Sequence, residues 1–264
     1  MPSLPSARRT LDIAAMLTRR EIAGRHRGHV LGAASALVVP SAFLVVYGLV
    51  FTRVVPVHLA AGAAPADYVF FLFAGLVGWN LVAETLGRAP ALFEANAALL
   101  RKAGFPGAAL AFASAATAWI YALVWLGVFA LAAAATGRGA PATLWLAPLC
   151  LAIVAAFAAG AALALATLGS FARDLAEWTP PALALWLFLS PVLYPADRIE
   201  RLAPWLVDAN PMTPMLRALR ALLIDGTVPA AGDATAALAW AAAACALGTG
   251  LHRRARTALA DVVA

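Results

Sequence analysis

An uncharged stretch from Val30 to Thr52 follows directly on a basic run, Arg19-Arg20-Glu21-Ile22-Ala23-Gly24-Arg25-His26-Arg27-Gly28. A helix rising 1.5 Å per residue needs roughly 20 residues to cross a hydrocarbon core about 30 Å thick. Residues 30–52 number 23 and therefore suffice. A buried helix of a water-soluble protein is the competing reading of such a run. Composition argues against it, because the chain is 64% hydrophobic and 12% charged, with a mean hydropathy of +0.86. A cleaved signal peptide also pairs positive charge with an apolar core. Here the polar lead is too long, the apolar run too extended, and further spans follow.

Beyond 30–52, long uncharged stretches run over 68–83, 108–136, 143–170, 179–194 and 234–251. Taking the second with its closing turn gives six expected spans: 30–52, 68–86, 108–136, 143–170, 179–194 and 234–251. The fifth is short and opens on Pro180-Pro181, which is tolerable in a first helical turn, where the missing N–H has no partner anyway. If the N-terminus is cytoplasmic, the inner segments carry 13 of the 19 basic residues. The short outer loops then hold only Arg53 and Arg138. Arg198, Arg201, Arg217 and Arg220 lie in the long segment 195–233, where five acids accompany them and the charge rule is weak. An even span count and this bias place both termini in the cytoplasm.

The formal net charge of +6 is concentrated at span ends, where it sets topology and meets anionic lipid, so nucleic acid is not an expected partner. Cys150 and Cys245 lie inside apolar spans and offer neither a disulfide framework nor a metal-ligand spacing; packing is their expected role. No metal site is expected. Residues 1–29 form an interface segment: Arg8, Arg9, Asp12, Arg19 and Arg20 fall within about a third of a helical wheel, and Leu11, Ile13, Ala15, Leu17 and Ile22 occupy the rest. Such a helix would lie along the inner membrane surface and turn inward at Gly24 or Gly28.

The second inner segment, 88–106, is more distinctive. Pro90 suits a helix start, Gly104 its C-terminal cap and Pro106 its stop, while Arg101 and Lys102 oppose the negative end of the helix dipole. The spacing predicts one helix over 90–103. Its stripe of Leu92, Phe93, Asn96, Leu99 and Leu100 suits the bilayer or another protein.

Catalytic chemistry is conspicuous by its absence. The only lysine, Lys102, is followed by Ala103, so no phosphate loop of the form GxxxxGK[ST] exists in the chain. His26, His29, His58 and His252 are scattered at span ends without metal-ligand or catalytic spacing, and no catalytic residue is expected. Nor does any span carry a mid-membrane charge relay. Glu84 comes closest, and its place at the inner end of the second span predicts an interfacial or helix-packing role.

Six stretches, taken together, carry a family resemblance. Arg25-His26-Arg27-Gly28-His29-Val30-Leu31-Gly32, followed by Pro40, Tyr47 and Phe51, resembles the opening of the type-2 ABC transporter permeases that export bacterial polysaccharides (O-antigen, capsule and teichoic acid). Ala74-Gly75-Leu76-Val77-Gly78-Trp79-Asn80 is similar to the family's second-span stretch. Leu100-Arg101-Lys102-Ala103-Gly104-Phe105-Pro106 resembles its "KK..FP" segment, and Phe171-Ala172-Arg173-Asp174 its "FFRD" loop. Leu189-Ser190-Pro191-Val192-Leu193-Tyr194-Pro195 and Asn210-Pro211-Met212-Thr213-Pro214 resemble "SP..YP" and "NPLTP". Gly78 stands where proline is usual and Ala172 where an aromatic is usual.

The resemblance implies an all-α membrane protein of the bacterial inner membrane with six transmembrane helices and an N-terminal amphipathic helix. It implies a cytoplasmic coupling helix over 88–106 and short re-entrant outer helices in 195–233. It further implies a homodimer that docks two copies of a separate ABC ATPase subunit, with ATP and magnesium bound by that partner and no cofactor in this chain. Glu94, Arg101, Lys102 and Phe105 would lie at the ATPase contact, with Arg173 and Asp174 in a second, smaller one. Tyr194, Trp205, Asn210 and Pro211 would belong to the outer gate. A path for a sugar polymer should be wide and lined with aromatic faces that stack on pyranose rings. Candidates are Tyr47, Phe51, Tyr68, Phe70, Phe71, Trp79, Trp119, Tyr121 and Trp125, although interfacial aromatics are common in any membrane protein. Export of a lipid-linked or free polysaccharide is the leading expectation. Alternatives are export of a drug or lipid by a related permease and a membrane-embedded transferase of lipid-linked sugars.

Overall fold

A computed structural model describes residues 7–26, 35–54, 64–102, 104–201 and 203–262. The elements are helical: α1 (Ala7–His26), α2 (Ser35–Leu49) with a π-helical extension Val50–Val54, α3 (Pro65–Gly87), α4 (Leu92–Ala95), α5 (Ala97–Leu100), α6 (Ala108–Ala135) and α7 (Ala147–Gly169). They continue through α8 (Leu175–Leu189), α9 (Ala196–Glu200), α10 (Pro204–Ala209), α11 (Met212–Arg220) with a π-helical extension Ala221–Asp225, and α12 (Ala231–Val262). Among the described residues, five of these helices are long and apolar enough to cross a membrane. The chain is a multi-pass membrane protein.

The expected span that is not among these five is the fifth, 179–194, which corresponds to α8. It has 15 residues, about 22 Å of helix, and starts at Leu175, so Pro180 and Pro181 stand inside it and not in its first turn. Two intrahelical donors are lost there, while the Thr179 hydroxyl donates to the Leu175 carbonyl at 2.6 Å. The first span is described from Ser35 onward, and the proposed inward turn at Gly28, with most of the Arg25–Gly32 motif, lies outside the described residues. Gly24 is no turning point, since α1 continues through it. The second span runs past 86 to Gly87 and takes in Glu84, and the last runs far beyond 251, to Val262.

α3 is the centre of the bundle. It is walled by α6, α7, α8 and α11, with Leu72, Phe73, Ala74, Val77, Leu81 and Val82 all sealed from the exterior. Its start combines Pro65 in the first turn with Asp67, whose carboxylate accepts the Ala64 N–H at 2.9 Å. α7 and α12 approach closest of all. Gly160 lies against the backbone of Ala244 and Cys245, Gly248 lies against the Gly160 carbonyl, and the Cys245 thiol donates to the Ala156 carbonyl at 3.3 Å. Small residues let two backbones touch, which suits a membrane interior where lipid offers no hydrophobic contrast to hold helices together.

The elements divide between two ends. The α1 end gathers α1, α4, α5, the start of α6 and the last turns of α7 and α12: Pro90 packs on Gly169, and His252 stands beside Gly107. The far end gathers the start of α3, the α6–α7 loop, the turn after α8, and α11. There Arg138 pairs with Asp67, and the Thr143 hydroxyl donates to the Leu222 carbonyl at 2.7 Å.

Candidate functional site

At the α1 end the 88–106 segment departs from the single predicted helix. It forms two short helices, α4 and α5, broken at Asn96 (φ −119°, ψ 23°), whose side-chain amide donates to the Leu92 carbonyl at 2.9 Å. An asparagine that bonds its own turn competes with the helical ladder, and the helix breaks there. The helix also stops early: α5 ends at Leu100 with Arg101 at its cap, so Gly104 is not the cap expected of it but sits in the turn beyond, at φ +74°, a left-handed value that a side chain resists, ahead of the buried Pro106.

The root of this segment is buried and its charged tip is exposed. Phe93 is 1% exposed and 5.5 Å from the His252 ring; His252 Nδ1 lies 3.4 Å from the Thr167 hydroxyl. α4 is thereby held against both α7 and α12. Glu94, Arg101 and Lys102 are exposed, whereas Phe105 is half-buried against the core. Arg173 and Asp174 are exposed in the α7–α8 turn, just past the Gly169 that packs on Pro90. The six residues therefore share one end of the bundle. Arg9 of α1 approaches the same segment, its guanidinium 3.9 Å from the position a side chain on Gly104 would take.

α1 is joined to α3 by four charges. Arg25 pairs with Glu84 and, at 3.3 Å, with Glu21; Arg88 pairs with Glu21 at 2.5 Å and with Glu84 at 3.5 Å. Thr117 of α6 donates to Glu21 at 3.1 Å, and the Arg25 guanidinium lies 4.8 Å from the Tyr121 ring centroid. Partial burial works against the Arg25 charge, but the carboxylates of Glu84 and then Glu21 outweigh it and raise its pKa above the ordinary value. Glu84 thus has the packing role expected of it. In the sequence Arg88 counted only toward topology, Arg25 toward topology and the opening motif, and Glu21 toward neither; the Glu84 to Arg88 spacing of four was the available signal. α1 itself buries Ala14 and Leu17 against α6, while Leu11 and Met16 stay exposed.

At the far end Asn210 is the organising residue. It is 5% exposed and uses its whole amide: Nδ2 donates to the Leu189 carbonyl at 3.1 Å and the Ser190 hydroxyl at 3.0 Å. Its Oδ1 accepts from Trp186 Nε1 at 3.2 Å and from the Met212 N–H at 3.0 Å. The last contact is an Asx turn that starts α11 immediately after Pro211. Tyr68 donates to the Leu193 carbonyl at 2.8 Å, and Tyr194 donates to the Phe188 carbonyl. Trp205 is 70% exposed. Arg220, which the sequence left undistinguished among the charges of the segment 195–233, is buried.

The nine candidate aromatics do not share one surface. Tyr47, Phe51, Tyr68 and Phe71 form a continuous seam across α2 and α3, with ring centroids 6.0, 4.9 and 6.5 Å apart in turn. Phe70 is buried edge-on to Phe129, and Trp79 is buried against Trp186, so both face protein in this conformation. Trp125 stacks on Phe73, the Trp119 indole N–H donates to the Pro148 carbonyl at 3.1 Å, and Tyr121 sits at the α1 end beneath Arg25.

Comparison with known proteins gives the family. The chain is 25% identical over 219 residues to an O-antigen export system permease protein, RfbA, of Klebsiella pneumoniae, covering 82% of each chain. It is 27% identical over 215 residues to the protein of the same description from Myxococcus xanthus, covering 81% of this chain and 80% of the relative. Residues 14–224 match the sequence model of the family described as ABC-2 type transporter, a span that takes in the four-charge joint, the α4–α5 segment and the Asn210 turn, and the chain belongs to that family.

Proposed function

We propose that this chain is the membrane permease of an ATP-driven exporter that moves polysaccharide, lipid-linked or free, out of the cytoplasm across the bacterial inner membrane. The α1 end is the cytoplasmic end on this reading, with both termini there. The permease works as a homodimer, and each copy docks one separate ABC ATPase subunit, which binds the ATP and magnesium. The relatives' names carry the substrate class, and similarity over about four-fifths of both chains supports the transfer.

The observation that carries the mechanism is the build of the α4–α5 segment. Its charged tip, Glu94, Arg101 and Lys102, is exposed for an ATPase, while Phe93 and Pro90 anchor its root to α12 and α7. Closure of the ATPase pair around nucleotide would displace the tip, and the buried root would pass the movement to the spans as a rigid-body rotation. The seam of Tyr47, Phe51, Tyr68 and Phe71 supplies aromatic rings suited to stacking on sugars, although Tyr68 is buried and Phe71 is partly covered in this conformation. Arg173 and Asp174 provide the smaller second contact, and Tyr194, Trp205, Asn210 and Pro211 belong to the outer gate.

Replacing Arg101 and Lys102 together by glutamate tests the docking role. With the partner ATPase present, export should fall at least about tenfold, the equivalent of one charge-assisted contact, while insertion persists. Unchanged export by the double variant overturns the assignment.

A further inference from the structure

Arg220, on the last turn of α11, is 8% exposed, and no carboxylate lies within ion-pairing distance of it among the described residues. Its Nη1 donates to the Pro191 carbonyl at 2.6 Å and its Nη2 to the Val192 carbonyl at 2.8 Å. The guanidinium carbon is 3.5 Å from the centroid of the Phe71 ring. Gly75, one turn along α3, leaves the room: a methyl group there would stand 2.7 Å from Nη2 and 3.0 Å from the Val192 carbonyl. One side chain therefore ties together α11, the turn that follows α8, and α3.

The location matters as much as the contacts. The Pro191-Val192 turn lies level with Gly75, seven residues along α3 from Tyr68, so it sits about 10 Å inward from the Tyr68 level. Phe71, the ring beneath the guanidinium, is also the last ring of the aromatic seam. Arg220 thus covers one face of a ring that the path would otherwise present.

A brace built for permanence would be apolar or paired with a carboxylate, since stripping one partner from a buried ion pair strands the other charge. Arg220 is held only by two neutral carbonyls and a ring face, and its Nε is buried without a hydrogen-bond partner. When the turn moves away, water can replace both carbonyls at the guanidinium, and no buried carboxylate is left behind. Such a contact holds firmly when dry and releases readily when wet.

We propose that Arg220 is a clasp that holds the turn after α8 closed over the far end of the aromatic seam, and that its release uncovers Phe71 for a passing sugar ring. This deepens the exporter reading and rests on it. The test uses the complex of permease and partner ATPase in proteoliposomes loaded with carboxyfluorescein, without ATP. Arg220→Met removes both hydrogen bonds while keeping the bulk, and dye loss should rise about tenfold, as expected for one to two net hydrogen bonds. Arg220→Lys, with a point charge and no flat face to lay on Phe71, should leak less than the methionine variant and more than wild type. Gly75→Ala, which pushes on the guanidinium without altering it, should also leak.

A methionine variant that lowers thermal stability yet retains dye like wild type overturns the clasp and leaves a plain structural brace. If that variant does not insert, Gly75→Ala decides, and a tight alanine variant overturns the proposal. The exporter reading fails separately, by absence of ATP-dependent polymer movement in the wild-type vesicles.

Discussion

α2 and α3 are neighbours of similar length, and both are apolar, yet they occupy opposite situations. α2 carries no charged residue before Arg53, and only 6% of the stretch Leu37–Val54 is buried within the protomer. α3 carries Asp67 and Glu84, and most of Ala66–Gly87 is buried. The more polar helix is the one inside. In water the hydrophobic effect would sort them the other way, but lipid is as apolar as leucine, so burial goes to the helix that can pack and make polar contacts. Glu84 and Asp67 are tolerated on α3 because Arg25, Arg88 and Arg138 meet them. α2 faces lipid or a second copy with Leu37, Val38, Val45, Val46 and Leu49, and no polar group needs an answer there.

The sharpest way to break this comparison is to truncate one ring on each helix. Phe73 of α3 is fully buried, stacked on Trp125 at 5.3 Å, and Phe73→Ala should cost about 3 kcal/mol of unfolding free energy in detergent micelles. Phe43 of α2 is 41% exposed and keeps only ring contacts to Tyr47 and Trp125, so Phe43→Ala should cost about 1 kcal/mol. Equal losses would refute the inside–outside distinction. A smaller effect is expected at the polar end of α3. Arg88→Glu alone places a third carboxylate beside Glu21 and Glu84, and adding Glu21→Arg should recover part of the loss. The side chains are 27–43% exposed, so solvent screening limits the coupling to about 1 kcal/mol, read from a double-mutant cycle. Smallest of all, Val45→Ala on the open face of α2, where Val45 is 66% exposed, should stay within about 0.5 kcal/mol. Val45→Cys sharpens the point: an intermolecular disulfide between copies indicates a partner there, and labelling by a lipid-soluble maleimide alone indicates bilayer.

The same physics explains what could be read from the chain and what could not. Length and apolar character located α3, α6 and α7 to within a few residues, because crossing a bilayer imposes a length. Pro90, Gly104 and Pro106 bracketed a short helical segment between α3 and α6, because backbone geometry is local, although its helices end inside those bounds. The break at Asn96 was not legible: an asparagine in a helix stripe looks the same whether its amide faces outward or bonds its own turn. Burial within the membrane was not legible either, since Phe70 and Phe71 are adjacent aromatics of identical hydropathy and only the packed fold separates the core ring from the seam ring. Arg220 was hidden for the opposite reason. Its partners at Pro191 and Val192 are backbone carbonyls, which every residue possesses and no sequence pattern marks.

α12 runs from Ala231 to Val262, 32 residues without a proline, about 48 Å of unbroken helix against a hydrocarbon thickness of about 30 Å. Near its start Asp233 lies 3.9 Å from Arg217 of α11, and 19 residues further on His252 bears on Phe93 of α4. Its one soft spot, the glycine pair at 248 and 250, is clamped where Gly248 rests on Gly160. A rod of this kind has no joint in which motion can be lost. On the exporter reading, a displacement of the α4–α5 segment would have one continuous helix along which to reach α11, the helix that carries Arg220.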